Sequence, residues 1–256
     1  MVEIISKVSH GSRMDQVYLP KNRVGLKPGE YVVVKSISLG EKNTGKPYFY
    51  GLDSLEPLKL KAIEEIFQVI ESKTEECDNI IVTGSFLDKG FDFEDCDILI
   101  ITPKKINSAL VKKEIGQRIG VKAHILILNN HTLWQGLISD PLYQLMLSCC
   151  VSKRRLIYNV KPQFNYKLLD YNLLKSQLLS NNFDILSGRE KYYLVRNLMA
   201  IREFLASRKV QKDKVEKSIQ EEFKLGNVAQ IKDNLLSKNS FLKKYNQIYR
   251  ETFQKI

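Results

Sequence analysis

Residues 80–100 read Ile-Ile-Val-Thr-Gly-Ser-Phe-Leu-Asp-Lys-Gly-Phe-Asp-Phe-Glu-Asp-Cys-Asp-Ile-Leu-Ile. An apolar run ends at Gly84-Ser85, a polar turn follows, and a second apolar run begins at Asp95 and Asp97. In an extended strand, side chains two positions apart lie on the same face, so the two carboxylates project together. Carboxylate oxygens suit Mg²⁺, and a glycine lets the backbone approach a phosphate closely. The stretch therefore predicts two strands joined by a turn, with a site for Mg²⁺ and a triphosphate beside the turn.

Apolar periodicity predicts the elements around this stretch. We expect helices over 57–72, 107–118 and 140–150 and strands over 78–83, 95–102, 121–128 and 155–158. The remainder, 165–256, has the pattern of helices throughout. The fold class expected is α+β, with a small β-rich N-terminal unit, an α/β core and an all-helical C-terminal domain. The domain bounds expected are 1–38, a linker over 39–54, 55–160 and 161–256.

The Gly-Ser turn and the paired aspartates resemble a known family motif. Gly84-Ser85, the spacer 86–94 and then Asp95-Cys96-Asp97-Ile98 are similar to the DNA polymerase β-type nucleotidyltransferase superfamily, most closely to its minimal nucleotidyltransferase branch. The resemblance implies a mixed sheet in the core. It also implies that Gly84 and Ser85 hold the nucleotide phosphates and that Asp95 and Asp97 bind Mg²⁺ or Mn²⁺. A hydroxyl of an RNA, a protein or a small molecule would then attack the α-phosphate of an NTP.

One position departs from that family pattern. Active members supply a third carboxylate from the next core strand, where this chain has His124. Imidazole is a poor Mg²⁺ ligand. Three interpretations of His124 therefore stay open. It is a general base for the acceptor hydroxyl, or a ligand for a softer metal. The third is that catalysis is weak or absent, or that the histidine is only structural. Acidic residues of the turn, Asp88, Asp92 and Glu94, are candidates to replace the missing carboxylate.

The N-terminal segment has a second resemblance. Residues 16–34, with Pro20 after one strand and Gly25-Leu26-Lys27-Pro28-Gly29 before the next, are similar to the AbrB-type swapped-hairpin fold. That resemblance implies a homodimer, and DNA binding by basic residues near the turns, here Arg13, Lys21 and Arg23. The alternative is a dimerisation or packing module whose basic residues are only solvated.

Charge is distributed unevenly along the chain. Residues 1–150 hold 18 Lys/Arg and 19 Asp/Glu, whereas residues 151–256 hold 22 and 10. A domain with this excess is attracted to polyanions, so RNA or DNA is an expected partner. The candidate contacts are Arg189, Arg196 and Arg202. A well-solvated lysine-rich surface is the competing interpretation.

Other features limit the class of protein. No apolar run of about twenty residues exists, so no membrane span is expected. The four cysteines have no metal-binding spacing, which fits reduced thiols in a cytoplasmic protein. The helical tail has no histidine and so lacks the ribonuclease motif of toxins that pair with minimal nucleotidyltransferases; a toxin-type partner would be a separate chain. Two functions stay open: a metal-dependent nucleotidyltransferase, or a non-catalytic dimeric DNA-binding regulator or antitoxin-like protein with a degenerate transferase fold.

Overall fold

The structure is a computed structural model that describes residues 8–9, 16–17, 27, 46–74, 76–158 and 160–256. The chain divides into two compact units, 1–43 and 44–256. In the first unit β1 (Val8–Ser9) pairs antiparallel with β2 (Gln16–Val17). The remainder of the swapped-hairpin prediction, including Arg13, Lys21 and Arg23, lies outside the described residues.

The second unit is mixed α/β and contains a five-stranded sheet. Its strands, in chain order, are β3 (Tyr48–Tyr50), β4 (Asn79–Thr83), β5 (Asp95–Ile101), β6 (Lys122–Leu128) and β7 (Cys150–Ser152). The spatial order is β3-β7-β4-β5-β6, with β5 and β6 parallel and the other neighbours antiparallel. Strand β3 comes from the segment predicted to be a linker.

Helices pack on both faces of this sheet. They are α1 (Pro57–Lys73), α2 (Ser108–Ile119), α3 (Asn130–Ser139) and α4 (Pro141–Leu147). Proline in its first turn favours the start of α1, and asparagine side chains cap α2 and α3. The elements predicted over 57–72, 78–83, 95–102, 107–118 and 121–128 match the observed ones to within two residues.

The region after α3 differs from the sequence prediction. The helix expected over 140–150 ends at Leu147, and the strand expected over 155–158 is found instead at Cys150–Ser152. Contacts with residues distant in sequence explain this difference. The Thr83 hydroxyl donates to the carbonyls of Met146 (2.8 Å) and Cys149 (3.0 Å), and the next residues join the ladder between β3 and β4. Helix α3 begins because Asn129 accepts a hydrogen bond from the Thr132 amide.

Alternation along the strands separates two hydrophobic cores. Ile98 and Ile100 face the core that contains α1 and α2, whereas Leu99 and Ile101 face the core that contains α3 and α4. Asp95 and Asp97 have the same parity as Leu99, so they project toward the α3–α4 side of the sheet.

Described residues beyond β7 that form regular structure are helical. These helices are α5 (Tyr166–Ser176), α6 (Leu178–Asn181), α7 (Gly188–Leu205), α8 (Lys212–Phe223), α9 (Ala229–Lys232) and α10 (Lys238–Phe253). They share one hydrophobic core around α7, whose Val195, Leu198 and Ile201 are buried. Leu145 of α4 joins this core, so the helices continue directly from the sheet layer. Within the described part of the chain, no helix has the length and apolarity to cross a membrane.

Candidate functional site

A cleft of about 320 Å³ lies between the sheet and the C-terminal helices. One wall is built from the end of β4, the turn after it, and β5 and β6. The other wall comes from α4, α7, α8 and α9. A volume of this size is typical of small-molecule sites. The polar residues that line it are Thr83, Ser85, Asp88, Asp97, His124, Tyr192, Tyr193, Arg196, Asn197, Lys212 and Lys232.

Gly84 and Asp97 are in direct contact at the centre of the sheet wall. Gly84 has a φ of +85° and a ψ of −164°, a conformation that is essentially restricted to glycine. A Cβ at this position would overlap the Asp97 carboxylate. Antiparallel pairing of Thr83 with Asp97 sets this approach, so the register brings the turn and the aspartate together. The structure therefore brings Gly84, Ser85 and Asp97 together in one cleft, which His124 and Arg196 also line.

His124 lies beside Asp97 on the neighbouring parallel strand. The two residues are register partners, and His124 Nδ1 is 3.0 Å from Asp97 Oδ1. The carboxylate can only accept, so the imidazole donates through Nδ1. His124 is the more exposed of the two, with 69% of its side chain accessible against 39% for Asp97. Its Nε2 is therefore the ring nitrogen left to face solvent or a bound group.

Asp95 is placed differently. It projects from the same face of β5 as Asp97, but it does not contribute to the lining of the cleft in the described structure. Its register partner on β6 is Lys122. The neighbouring strand thus offers a lysine and a histidine beside the two aspartates, and no carboxylate.

The turn between β4 and β5 is clamped by a buried lysine. Lys59 of α1 is 1% exposed and donates to the Asp88 carbonyl at 2.5 Å, with Glu56 at 3.2 Å. Its ammonium also lies over the rings of Phe86, Phe91 and Phe93. Glu56 in turn accepts from the Gly90 amide at 2.7 Å, which lowers the pKa of Glu56. These contacts hold the backbone of the turn in place.

Asp88 carries the main charge contact between the two walls. Its carboxylate forms ion pairs with Lys212 and, at 3.4 Å, with Lys232. Burial by itself raises the pKa of Asp88, but the two lysines outweigh burial and the net shift is downward. Burial likewise lowers the pKa of Lys212, and Asp88 reverses this to a net rise. Both charged forms are therefore stabilised at neutral pH.

Backbone contacts explain why these lysines reach the cleft. Lys212 is the first residue of α8, and its amide donates to the Ser148 hydroxyl at 2.9 Å. Lys232 is the last residue of α9, whose final carbonyls lie so close to Gly188 that a Cβ there would overlap them. Gly188 thus permits the close packing of α7 on α9. No motif distinguishes Lys212 and Lys232 from the other lysines of the tail, so sequence reasoning missed them.

Arg196 is a third cation of the cleft. Its guanidinium lies over the Tyr193 ring, 4.9 Å from the centroid, and over Tyr192 at 5.8 Å. It donates to the side chain of its neighbour Asn197 at 3.3 Å, and its buried Nε has no hydrogen-bond partner among the described residues. Arg196 thus adds a positive charge to the cleft without an ion-pair partner among the described residues.

The other predicted arginines have acidic partners. Arg189 forms ion pairs with Asp92 and, at 3.1 Å, with Glu94, and the hydrogen bond to Asp92 raises its pKa. Arg202 pairs with Glu222 at 2.7 Å. Asp92 and Glu94 are thus engaged by Arg189, and Asp88 by the two lysines. None of the three turn acids is placed as a free substitute for the missing carboxylate.

The residues present fit one mode of magnesium binding. No group of three or more His, Cys, Asp or Glu side chains in the described chain is arranged to hold a metal ion. Mg²⁺, however, is often held by one or two carboxylates together with substrate phosphates and water. Asp97, against the Gly84 turn, and Asp95, on the same face of β5, are two carboxylates of the kind that this mode requires. A scan against protein-family models and a search of curated proteins found no match to this chain.

Proposed function

We propose that the protein binds a nucleoside triphosphate in this cleft and transfers its nucleoside monophosphate to a hydroxyl of an RNA, a protein or a small molecule, with release of pyrophosphate. The observation that carries the proposal is the approach of Asp97 to the Gly84-Ser85 turn in a cleft that also holds Arg196, Lys212 and Lys232. Gly84 lets the Asp97 carboxylate lie directly against the backbone of the turn. The three cations supply attraction for a polyanion.

The proposal also includes a division of residues 55–256 into two domains. Residues 55–160 would form a nucleotidyltransferase-type core and residues 161–256 a basic helical domain. The order α1, β4, turn, β5, α2, β6 supports it, because that order and the mixed sheet are what the family resemblance implies. The helices after β7 would form the second wall, holding the phosphates and the acceptor.

The residues predicted to bind phosphate, bind metal and accept a proton have distinct roles in this scheme. Ser85 and the backbone at Gly84 would donate to phosphate oxygens. Asp95 and Asp97 would hold Mg²⁺ or Mn²⁺, which neutralises charge that develops on the phosphates when it is bound. Asp97 also orients the His124 ring, leaving Nε2 directed away from the carboxylate. His124 would accept the proton of the acceptor hydroxyl through that nitrogen.

The decisive experiment is NTP-dependent labelling. The purified protein is incubated with each of the four α-³²P-labelled NTPs, with Mg²⁺ or Mn²⁺, and with total RNA or the protein alone as acceptor. We expect labelling by the wild type and none by Asp97→Asn, with the exposed Asp53→Asn variant as the control for loss of one carboxylate. Equal labelling by Asp97→Asn and wild type would refute the proposal, provided that both are folded by circular dichroism.

The geometry around His124 favours a second candidate. The position beside Asp97 on β6 holds an imidazole at 3.0 Å in place of the third carboxylate. This arrangement suits a regulator that binds nucleotide without efficient transfer and contacts DNA, or a separate toxin-type chain, as a homodimer. It predicts duplex-DNA binding that weakens with salt and is lost when residues 1–43 are deleted. Label transfer by the wild type, or DNA binding that survives this deletion, would exclude it.

A further inference from the structure

Two of the three cations in the cleft are already occupied by an anion of the protein. Asp88 contacts Lys212 through Oδ1 and Lys232 through Oδ2, so each carboxylate oxygen serves one ammonium group. All three side chains are partly accessible, at 29%, 21% and 32% for Asp88, Lys212 and Lys232. Two lysines can bind one phosphate in the same way, and here the two carboxylate oxygens of Asp88 take the positions of the phosphate oxygens.

The carboxylate of Asp88 belongs to an anchored segment. Its carbonyl accepts from Lys59, and its amide donates to the Ser85 carbonyl at 3.0 Å. The lysines, by contrast, sit at helix ends on flexible four-carbon stems. If an anion of higher charge enters beside Ser85, the lysines can turn to it while Asp88 stays in place.

We propose that Asp88 competes with the phosphate chain for Lys212 and Lys232, and that this competition limits the affinity of the cleft for polyphosphate. The inference rests on the proposed nucleotide site and adds a residue that sets affinity within it. A polyphosphate must replace Asp88 at both lysines, and Asp88 then repels it from within the same cleft.

The electrostatic consequence is a gain of affinity when this charge is removed. One unit charge at ~8 Å from a single charge of the ligand, at an effective dielectric constant of ~40, changes the affinity by about sixfold at low salt, and the further charges of a polyphosphate raise this effect to at least about tenfold. The gain is screened as salt rises, because the Debye length falls to about 8 Å at physiological ionic strength. A residue that merely supported the fold would instead weaken ligand binding when it was replaced.

The test is isothermal calorimetry with inorganic tripolyphosphate and with ATP, at low salt, on the full chain. We expect Asp88→Asn to bind both ligands about tenfold more tightly than the wild type. The control is Asp184→Asn, which removes a carboxylate bound to Lys238 on the surface of the same helical region and should leave affinity unchanged. In a double-mutant cycle, the gain from Asp88→Asn should shrink in the Lys232→Met background, since the contested lysine is then absent.

A second measurement needs no variant. In protein labelled with ¹³C at the aspartate carboxyl carbons, the Asp88 resonance should shift on saturation with tripolyphosphate and that of Asp184 should not. Three outcomes would each overturn this inference and leave the proposed function intact. They are unchanged or weaker binding by folded Asp88→Asn, a full gain of affinity in the Lys232→Met background, and an Asp88 resonance that does not move. A wild-type protein that binds neither tripolyphosphate nor any NTP would overturn the proposed function as well.

Discussion

Replacing Gly84 with alanine tests the geometry on which the candidate site depends. The backbone at Gly84 has a φ of +85° and a ψ of −164°, and an L-residue there is strained by about 1–3 kcal/mol. The new Cβ would also overlap the Asp97 carboxylate. Forcing a packed neighbour to move costs roughly another 1–3 kcal/mol. We therefore expect Gly84→Ala to lower the free energy of unfolding by about 2–6 kcal/mol and to abolish nucleotide binding.

Two matched variants separate the strain from the overlap. Gly90 has a φ of +81° with open space where its Cβ would lie, so Gly90→Ala should show the strain alone. Adding Asp97→Ala to Gly84→Ala removes the two atoms that the Cβ meets most closely, Oδ2 and Cγ of Asp97, so the two changes should be non-additive by about 1–3 kcal/mol. The assay is urea unfolding followed by far-ultraviolet circular dichroism. Equal losses for Gly84→Ala and Gly90→Ala, with full additivity at Asp97, would refute the contact between Gly84 and Asp97.

Three further predictions concern the same unit. Lys59→Met should lower the free energy of unfolding by about 2–3 kcal/mol, because it leaves the Asp88 carbonyl and Glu56 without their buried partner. The control Lys61→Met, at an exposed position of the same helix, should have little effect. Urea unfolding of both variants measures this, and similar small losses for the two would contradict the prediction. Because Lys212 and Lys232 lower the pKa of Asp88 below its ordinary 3.8, the stability that its charge contributes is present above that pH and is lost as the pH falls through the native pKa. The difference in unfolding free energy between wild type and Asp88→Asn should thus stay constant from about pH 5 to pH 8 and vanish in acid. A difference that grew in acid would mean that the native pKa of Asp88 is raised and would contradict the prediction. Burial raises the pKa of Cys77 to about 11 and that of Cys150 to about 12. Iodoacetamide at pH 8 should therefore alkylate these thiols slowly in native protein and rapidly in urea. Mass spectrometry of the two samples checks this, and fast alkylation of the native protein would contradict the burial of the thiols.

Local patterns were sufficient for the elements that surround the Gly-Ser turn. Helix α1 and strands β4, β5 and β6 were each predictable within two residues, because their apolar periodicity coincides with strong boundary signals. Pro57 begins the helix, and Gly84 and Pro103 follow the strands. The shared face of Asp95 and Asp97 also followed from strand geometry alone.

The errors came where distant residues determine the local structure. The sequence 140–158 is apolar enough for either a helix or a strand, and the ladder between β3 and β4 decides that Cys150–Ser152 is a strand. The ion pairs of Arg189 with Glu94 and of Arg202 with Glu222 also follow from tertiary contacts, and nucleic-acid contact by these two arginines stays a prediction. Asp95 shares the face of Asp97 yet lies outside the cleft lining, because the cleft begins one pleat further along β5.

The sequence by itself determined the α1–β4–turn–β5 framework, the two aspartates on one strand face and the departure at His124, since each depends on neighbours in the chain. Tertiary structure alone decided that His124 is the register partner of Asp97 and that Asp88 is bound by Lys212 and Lys232. These contacts join residues that are 27, 124 and 144 positions apart. No local pattern encodes such separations; they follow from the parallel pairing of β5 with β6 and from the packing of the α8 and α9 ends against the turn.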